Sequence, residues 1–178
     1  MSRLYTQPVS AATGKAAQLF AAIKGAIGTV PNAYAAIGNN SPLALEAALN
    51  LDGVLAKSSL SAKEIEIIKL AVSEVSGCDY CLAAHTLAGK KKGLSREAIL
   101  AVRRGQPSDE ARFDALATFA RTLVSTSGTV PAEVVGAVKA AGYTDTQIVD
   151  SLLVITSITF TNLLNRVNDT ALDFPAAD

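Results

Sequence analysis

Two cysteines and a histidine lie close together in the sequence, and their side chains are the best suited to chemistry. Cys78 and Cys81 form a C-x-x-C pair, and His85 follows Cys81 by four residues. If residues 79 to 92 form a helix, Cys81 and His85 lie one turn apart on one face. Both sulfurs then lie at the first helical turn, where free backbone N–H groups and the helix dipole favour thiolate over thiol. The pattern indicates thiol redox chemistry.

A carboxylate, Glu66, is predicted to lie beside His85 although it precedes Cys78 by twelve residues. Along one straight helix that separation would be about 18 Å. Gly77 interrupts the helical pattern and suits a helix C-terminus. If the chain reverses there, Glu66 comes level with His85 on an antiparallel helix. The expected set is a nucleophile, a base and an orienting carboxylate, with Cys81, His85 and Glu66 in those roles.

Each of these residues also has a simpler interpretation. Cys78, Cys81, His85 and Glu66 could form a tetrahedral zinc site, although three ligands within two turns of one helix crowd the tetrahedron. A lone histidine can be a buried core residue, and the lysines three positions before and after Glu66 could hold it in surface ion pairs. Tyr80, between the cysteines, either shapes a pocket, donates a hydrogen bond or only packs.

The composition bounds the class of protein. The chain has 178 residues, enough for one domain with a full hydrophobic core, and 49% of them are hydrophobic. Lys plus Arg and Asp plus Glu are both 16, so the formal net charge is zero. Nothing in this balance indicates nucleic acid or an anionic membrane as a partner, and a near-neutral surface fits self-association.

The sequence shows no targeting or membrane segment. The first 14 residues lack the apolar core of a secretory signal. The most apolar run, residues 152–164, is too short and too rich in Ser and Thr to span a bilayer, so it is expected to be a buried helix. We therefore expect a cytoplasmic protein. In that compartment a C-x-x-C pair is more often a redox or metal site than a structural disulfide.

Helical periodicity and helix-start residues predict an all-α fold without strands. Ser61-x-x-Glu64 and Thr144-x-x-Gln147 are capping boxes that mark two helix starts. The predicted helices, including the one that carries the cysteines, cover about residues 15–27, 31–38, 42–57, 62–76, 79–92, 96–104, 108–125, 131–140 and 145–164.

The helix after Ser61 is predicted to carry two stripes. One is the core stripe of Ile65, Ile68, Val72 and Val75. The other is a polar stripe of Glu66, Lys69 and Ser73, which must face the cysteine helix if Glu66 is to reach His85.

The whole chain, residues 1–178, is predicted to be one domain with its motif core at about 43–105. An N-terminal arm (1–13) and a C-terminal tail (170–178) are expected to be loosely ordered. Gly-Thr-Val-Pro occurs at residues 28–31 and again at 128–131, each time ahead of a helix. The two copies are either an internal duplication or the same helix start used twice.

The spacing E-x11-C-x-Y-C-x3-H, followed by the helix start Gly93-Leu94-Ser95, resembles the carboxymuconolactone decarboxylase family. Within that family it is similar to the peroxidases of the alkyl hydroperoxide reductase D (AhpD) type. The resemblance is strong over residues 60–105, weaker over 140–169 and weakest before Leu43. It implies an all-helical homo-oligomer, commonly a trimer or hexamer. It also implies a lipoyl- or thioredoxin-type electron donor and no flavin or haem cofactor.

The residues alone leave open which cysteine attacks first. In thioredoxin-like motifs the first cysteine does so, whereas here the one-turn spacing links His85 to Cys81. The resemblance implies that Cys81 is the peroxidatic cysteine and Cys78 the resolving one, with Glu66 and His85 as a proton relay. Some peroxidase members of the family carry a histidine where this chain has Tyr80.

The expected function is reduction of organic hydroperoxides through a Cys78–Cys81 disulfide in antioxidant defence. Attack of a thiolate on the peroxide gives a sulfenic acid, which condenses with the second cysteine before an external dithiol reduces the disulfide. One alternative is a non-enzymatic redox sensor or metal-binding protein. Another is a decarboxylase on the same scaffold, although that branch generally lacks the C-x-x-C.

Overall fold

The computed structural model describes residues 2–177, and within that range all regular structure is helical. The all-α prediction is confirmed. A short 3-10 turn at Val9–Ala11 precedes the α-helices, which are α1 (Gly14–Ile27), α2 (Asn32–Asn40), α3 (Pro42–Leu55), α4 (Ala62–Ser76), α5 (Asp79–Lys91), α6 (Arg96–Arg104), α7 (Ala111–Ser125), α8 (Ala132–Ala140) and α9 (Asp145–Asn168).

The helices begin where side chains satisfy their free N–H groups. The Ser61 hydroxyl accepts from the backbone N–H of Glu64, and the Glu64 carboxylate accepts from the N–H of Ser61, so the first capping box is present. Thr144 and Gln147 form the second one at the start of α9.

The two Gly-Thr-Val-Pro segments have similar backbone angles at their glycine and proline residues. Gly28 and Gly128 have φ of +85° and +98°, in the left-handed region where glycine is favoured. Pro31 and Pro131 lie one residue before α2 and α8, not at their first positions, with φ and ψ of about −57° and +146° in both. The recurrence therefore has a local cause in the helix start, and a true duplication stays a hypothesis.

Helix α4 is the centre of the fold, because α5, α7 and α9 all pack against it. Ile67, Ile68, Leu70 and Ala71 are fully buried there. The prediction of Val75 as a core residue is wrong, since its exposed fraction is 37%. Val75 lies in the last turn of α4, where neighbouring helices no longer cover it. The periodicity of a helix does not show where its neighbouring helices end.

Helix α9 is buried on one side only, which corrects the expectation of a fully buried helix. Val154, Ile155 and Ile158 face the core, whereas Leu152 and Leu163 are exposed. By length and hydropathy α9 is the one helix in residues 2–177 that could cross a membrane, with a third of its apolar window buried. Core helices pass the same test, and α9 packs against α3 and α4.

The two ends of the described chain contact the rest of the fold. The Asn168 side-chain oxygen accepts from the Ser2 hydroxyl (2.7 Å) and from the backbone N–H of Leu4 (2.9 Å). Near the other end, the Asp173 carboxylate accepts from the N–H of Asn32 (2.7 Å). Met1 and Asp178 lie outside the described residues. How loosely the arm and tail are ordered stays a prediction.

A small second core lies between α1, α2 and α3, and it depends on Gly38. A Cβ placed on Gly38 would lie 2.5 Å from the ring of Phe20 and 2.8 Å from Leu45. Only glycine therefore allows these helices to approach so closely.

Replacing Gly38 with alanine is expected to destabilise the fold. Overpacking of a buried site costs about 1–3 kcal/mol, which outweighs the gain of about 0.5–1 kcal/mol from alanine in a helix. Urea unfolding followed by circular dichroism measures the change. Gly53→Ala is the matched control, because Gly53 lies in α3 with no atom within 4 Å of the added Cβ. Equal stability of the two variants would contradict the packing account.

Candidate active site

The chain reverses between α4 and α5 as the sequence predicts. Gly77 ends α4 in the left-handed conformation, with φ of +61°. The next N–H, that of Cys78, donates to the carbonyl of Ser73 (3.0 Å), which completes the helix cap. Helix α5 then packs back against α4. This hairpin brings residues that are about twenty positions apart into contact.

The two cysteines lie at the first turn of α5 and are buried and unlinked. Cys78 is the N-cap residue, and its sulfur accepts a hydrogen bond from the backbone N–H of Cys81 (3.3 Å). The Cys81 sulfur accepts from the side-chain amide of Asn165 on α9 (3.4 Å).

The surroundings shift the pKa values of the two thiols in opposite directions. The sequence predicted an environment that favours the thiolate of both. A hydrogen bond from the Cys78 thiol lowers the pKa of Cys81, against the opposing effect of burial. The amides of Asn165 and Asn162 and the charge of His85 lower it further. The same hydrogen bond and burial raise the pKa of Cys78. Because one proton lies between the two sulfurs, only Cys81 is favoured as a thiolate.

His85 and Glu66 form the contact that the hairpin argument predicts. Nδ1 of His85 lies 2.8 Å from Oε2 of Glu66, whose exposed fraction is 2%. Nζ of Lys92 donates to the other carboxylate oxygen (2.5 Å). Burial alone would raise the pKa of Glu66, but the charge and hydrogen bond of His85 together with Lys92 lower it to about 2. Glu66 is therefore ionised at neutral pH and can hold the Nδ1–H tautomer of His85, which leaves Nε2 as the proton acceptor.

The predicted polar stripe of α4 does not face α5 as a unit. Glu66 does so, but Lys69 pairs with Asp52 on α3 (3.5 Å), and the hydroxyl of Ser73 accepts from Asn162 on α9 (3.1 Å). A stripe about 60° wide spans the boundary between neighbouring helices, because several helices surround α4. The alternative of surface ion pairs for Glu66 does not apply, because its partners are His85 and Lys92.

Tyr80 both packs and forms hydrogen bonds, and its partners are Ala33 and Asp173. Its hydroxyl accepts from the N–H of Ala33 (3.1 Å) and donates to Asp173 (2.7 Å). The ring of Phe174 meets that of Tyr80 edge-on, with centroids 5.5 Å apart. Burial and the neighbouring Asp173 raise the pKa of Tyr80, so the phenol stays protonated.

Cys81 and His85 line the same cavity, which has a volume of about 500 Å³. The cavity extends between α1, α2, α5 and the C-terminal segment, and most of its walls are apolar, formed by Ile27, Pro31, Ala33, Ala84, Leu87, Ala88, Phe174 and Pro175. Cys78 borders a separate depression of about 280 Å³ with polar walls that include Asp79, Arg166 and Asp169. The two sulfurs are thus approached from different sides.

The geometry does not favour the zinc alternative. Within residues 2–177, no three side chains of His, Cys, Asp or Glu converge at a spacing suited to a metal ion. The carboxylate of Glu66 is already engaged by His85 and Lys92.

Sequence reasoning missed three residues of the site. Lys92, just after α5, reaches back to the carboxylate of Glu66. Asn162 and Asn165 were not considered as site residues. With Asn168 they recur every three residues along one side of an apolar helix and are buried. A buried amide needs a partner, so this spacing could have indicated a polar site facing α9.

The sequence model of the carboxymuconolactone decarboxylase family matches residues 42–124, which run from the start of α3 almost to the end of α7 and include both cysteines, His85 and Glu66. Over these residues the chain is similar to the carboxymuconolactone decarboxylase family. No curated protein sequence matches it.

Solved structures share the all-helical, AhpD-like fold. One is described as an alkylhydroperoxidase AhpD core, an uncharacterized peroxidase-related protein from Ralstonia eutropha JMP134. It superposes with a TM-score of 0.85 at 20% identity, covering 97% of this chain and 92% of that one. An uncharacterized peroxidase-related protein from Silicibacter sp. TM1040 superposes with a TM-score of 0.76 at 26% identity, covering 92% and 88%.

A third similar structure is a cysteine-to-alanine variant of the debrominase Bmp8 in complex with 2,3,4-tribromopyrrole. Its TM-score is 0.79 at 18% identity, and the match covers 97% of this chain and 94% of that one. At that identity the likeness shows the fold alone. The fold shared by members of the carboxymuconolactone decarboxylase family and their structural neighbours thus accompanies more than one chemistry.

Replacing Asn165 with alanine is expected to raise the pKa of Cys81, because the thiolate loses a hydrogen-bond donor. A hydrogen bond to a charged group contributes about 1.5–3 kcal/mol, or about one to two pKa units. The rate of alkylation of Cys81 by iodoacetamide between about pH 5 and pH 10, with mass analysis of the modified site, measures it. In the wild type the midpoint should lie below the value of about 8.5 for free cysteine, and in the variant it should move up.

Asn168→Ala is the matched control, because Asn168 is a buried amide on the same helix that bonds to Ser2 and Leu4 instead. Its midpoint should equal that of the wild type. A similar shift in both variants would mean that Asn165 acts through the fold and not through the sulfur.

Proposed function

We propose that this protein is a thiol peroxidase that reduces organic hydroperoxides through a Cys78–Cys81 dithiol–disulfide cycle. The observation that carries the proposal is the placement of Cys81. Its sulfur is favoured as a thiolate, and it lines an apolar cavity beside a histidine that a buried carboxylate orients. A thiolate is the attacking species in thiol redox chemistry, and an apolar cavity suits the organic group of the peroxide.

In the first step the Cys81 thiolate attacks the terminal oxygen of the hydroperoxide. The S–O bond forms as the O–O bond breaks, the sulfur is oxidised to a sulfenic acid, and the leaving alkoxide takes a proton to become an alcohol. His85 is the group placed to donate that proton, having received it from the Cys81 thiol. Glu66 and Lys92 are positioning residues, because they act through His85.

Asn165 has a second role in this step. Its side-chain oxygen is buried and has no hydrogen-bond partner among the described residues, while its nitrogen donates to Cys81. A buried carbonyl without a partner is costly, so a ligand that donates to it gains affinity. The O–H of a hydroperoxide is such a donor, and this contact would hold the terminal oxygen next to the sulfur.

In the second step the Cys78 sulfur attacks the Cys81 sulfenic acid, a disulfide forms and water leaves. The hydrogen bond with Cys81, burial and the charge of the Cys81 thiolate together raise the pKa of Cys78 in the resting site. Once Cys81 is a neutral sulfenic acid, the contribution of its charge is gone and Cys78 ionises more readily. An external dithiol of the lipoyl or thioredoxin type then reduces the disulfide by thiol exchange, and the polar depression beside Cys78 offers it an approach. We place this cycle in the cytoplasm, in antioxidant defence.

Replacing Cys81 with serine is expected to abolish turnover, by at least about a thousandfold, because the nucleophile is lost. The assay is consumption of cumene hydroperoxide with dihydrolipoamide as donor. Cys78→Ser is the matched control. It should still form a sulfenic acid at Cys81 that dimedone traps, whereas the oxidised wild type should instead lose the mass of two hydrogen atoms.

Full peroxide consumption by Cys81→Ser would overturn the proposal. So would a wild type that debrominates a brominated pyrrole but turns over no hydroperoxide, the result expected if this chain shared the chemistry of its debrominase neighbour. A disulfide without turnover of either substrate would favour the redox-sensor alternative.

We also propose that the chain forms a homo-oligomer, a trimer or hexamer, through the outer side of α9. Six of its exposed side chains recur at alternating spacings of four and three residues, the pattern of a helix that packs against another helix, and they are Val149, Leu153, Thr156, Phe160, Leu163 and Val167. The exposed fractions of Val149 and Leu163 are 64% and 61%. This outer stripe is about 27 Å long at 1.5 Å per residue. Contiguous apolar surface of this kind marks interaction sites.

Leu163→Glu is expected to dissociate the oligomer, because a charge buried in an apolar interface is unpaired. Multi-angle light scattering measures the mass in solution. Leu43→Glu is the matched control, since Leu43 is 76% exposed and lies on α3. A monomeric wild type, or dissociation by both variants, would count against the outer stripe as the interface.

A further inference from the structure

The C-terminal segment, residues 171–175, closes one side of the cavity that contains Cys81. Asp173, Phe174 and Pro175 line the cavity together with residues of α1, α2 and α5. The segment is not helical, and it reaches the cavity by crossing the N-terminus of α2. This segment lies outside residues 42–124, the region that the family model matches.

Three hydrogen bonds fix this segment. One oxygen of Asp173 accepts from the hydroxyl of Tyr80 (2.7 Å), and the other accepts from the backbone N–H of Asn32 (2.7 Å). The side-chain amide of Asn32 in turn donates to the carbonyl of Ala171 (3.0 Å). Because Asn32 is the first residue of α2, its N–H has no partner within the helix, and a carboxylate there is favoured by the helix dipole. Asp173 thus connects the start of α2 with Tyr80, one of the two residues between the cysteines.

Phe174 is positioned by this bridge. It follows Asp173 directly and packs edge-on against Tyr80 at 5.5 Å, with its ring at 74°. Edge-to-face aromatic pairs are worth about 0.5–1.5 kcal/mol beyond burial. The ring is half-buried and packs against the main core on one side while it lines the cavity on the other. Its size therefore sets the free width of the cavity next to Tyr80.

We propose that Phe174 is a specificity-determining residue that limits the size of the apolar group admitted to Cys81, and that Asp173 is its positioning residue. The inference rests on the proposed function of Cys81 as the reactive thiol. The substrate class is then a hydroperoxide with a compact apolar group, such as one aromatic ring or a short branched chain. A bulkier group has to displace Phe174, and the Asp173 hydrogen bonds oppose this.

The test measures the width of the cavity without depending on peroxide chemistry. Cys81 is alkylated in separate experiments with iodoacetamide, which is small, and with N-(1-pyrenyl)maleimide, which is bulky and apolar. For Phe174→Ala we expect the rate with the pyrenyl reagent to rise about tenfold relative to wild type, since pockets discriminate by about that factor or more on size. The rate with iodoacetamide should change less than about twofold, because the reactivity of the sulfur is unchanged.

Two further variants separate a specific role from a merely structural one. Phe174→Trp should lower the pyrenyl rate, and Asp173→Ala should raise it although Phe174 is intact. Leu172→Ala is the matched control, because Leu172 lies in the same segment but does not line this cavity. It should behave as the wild type. An unchanged ratio of the two rates in Phe174→Ala, or an equal change in Leu172→Ala, would overturn the inference.

The same variants tested with hydroperoxides distinguish this inference from the function on which it rests. If the protein is a peroxidase, Phe174→Ala should raise kcat/KM for a bulky hydroperoxide relative to tert-butyl hydroperoxide. The change should come mainly from a lower KM for the bulky substrate. If the alkylation ratio changes as expected but no hydroperoxide is consumed by the wild type, the peroxidase proposal fails while the role of Phe174 stands. If hydroperoxides are consumed and neither ratio changes, the role of Phe174 fails alone.

Discussion

The hydrogen bond between the buried carboxylate of Glu66 and the imidazole of His85 is the contact on which the rest of the site depends. A carboxylate with almost no exposure is costly unless it is paired and hydrogen-bonded, and here His85 and Lys92 each engage one of its oxygens. His85 lies in the middle of α5, and Lys92 follows it by seven residues at the C-terminus of that helix. The carboxylate therefore fixes α5 against α4 at two points. The same contact sets the orientation of the imidazole. The position of Cys81, one turn before His85, follows from it.

Helix α9 supplies the second half of the site, with an unusual distribution of side chains. Its buried side carries the amides of Asn162, Asn165 and Asn168, while its outer side carries Val149 and Leu163. Amides inside are tolerated because each donates to a specific acceptor, which is Ser73 for Asn162, the Cys81 sulfur for Asn165 and Thr170 for Asn168. The amides of Asn162 and Asn165 favour a charged sulfur in a mostly apolar region. The core is thus polar where the chemistry requires it and apolar elsewhere.

The fold and the centre of the site could be predicted from sequence because they depend on local rules. Helix periodicity, two capping boxes and a glycine at the reversal are short-range features, and together they bring Glu66 level with His85. The contributions of Asn165, Lys92 and Asp173 could not be predicted in this way. They reach the site from α9, the end of α5 and the C-terminal segment, and their direction depends on how the helices pack. Val75 was misplaced for the same reason, since its burial depends on where neighbouring helices end.

The outer stripe of α9 has a consequence for the behaviour of the protein in dilute solution. The helix that presents Leu163 to the outside holds Asn165 against Cys81 on its inner side. If copies of the chain cover the stripe, association stabilises the folded helix by mass action, and this stabilisation depends on protein concentration. Dilution would then loosen the helix that carries the thiolate's amide donor. The nucleophilicity of the Cys81 sulfur would then decrease as the protein is diluted, in addition to its dependence on pH.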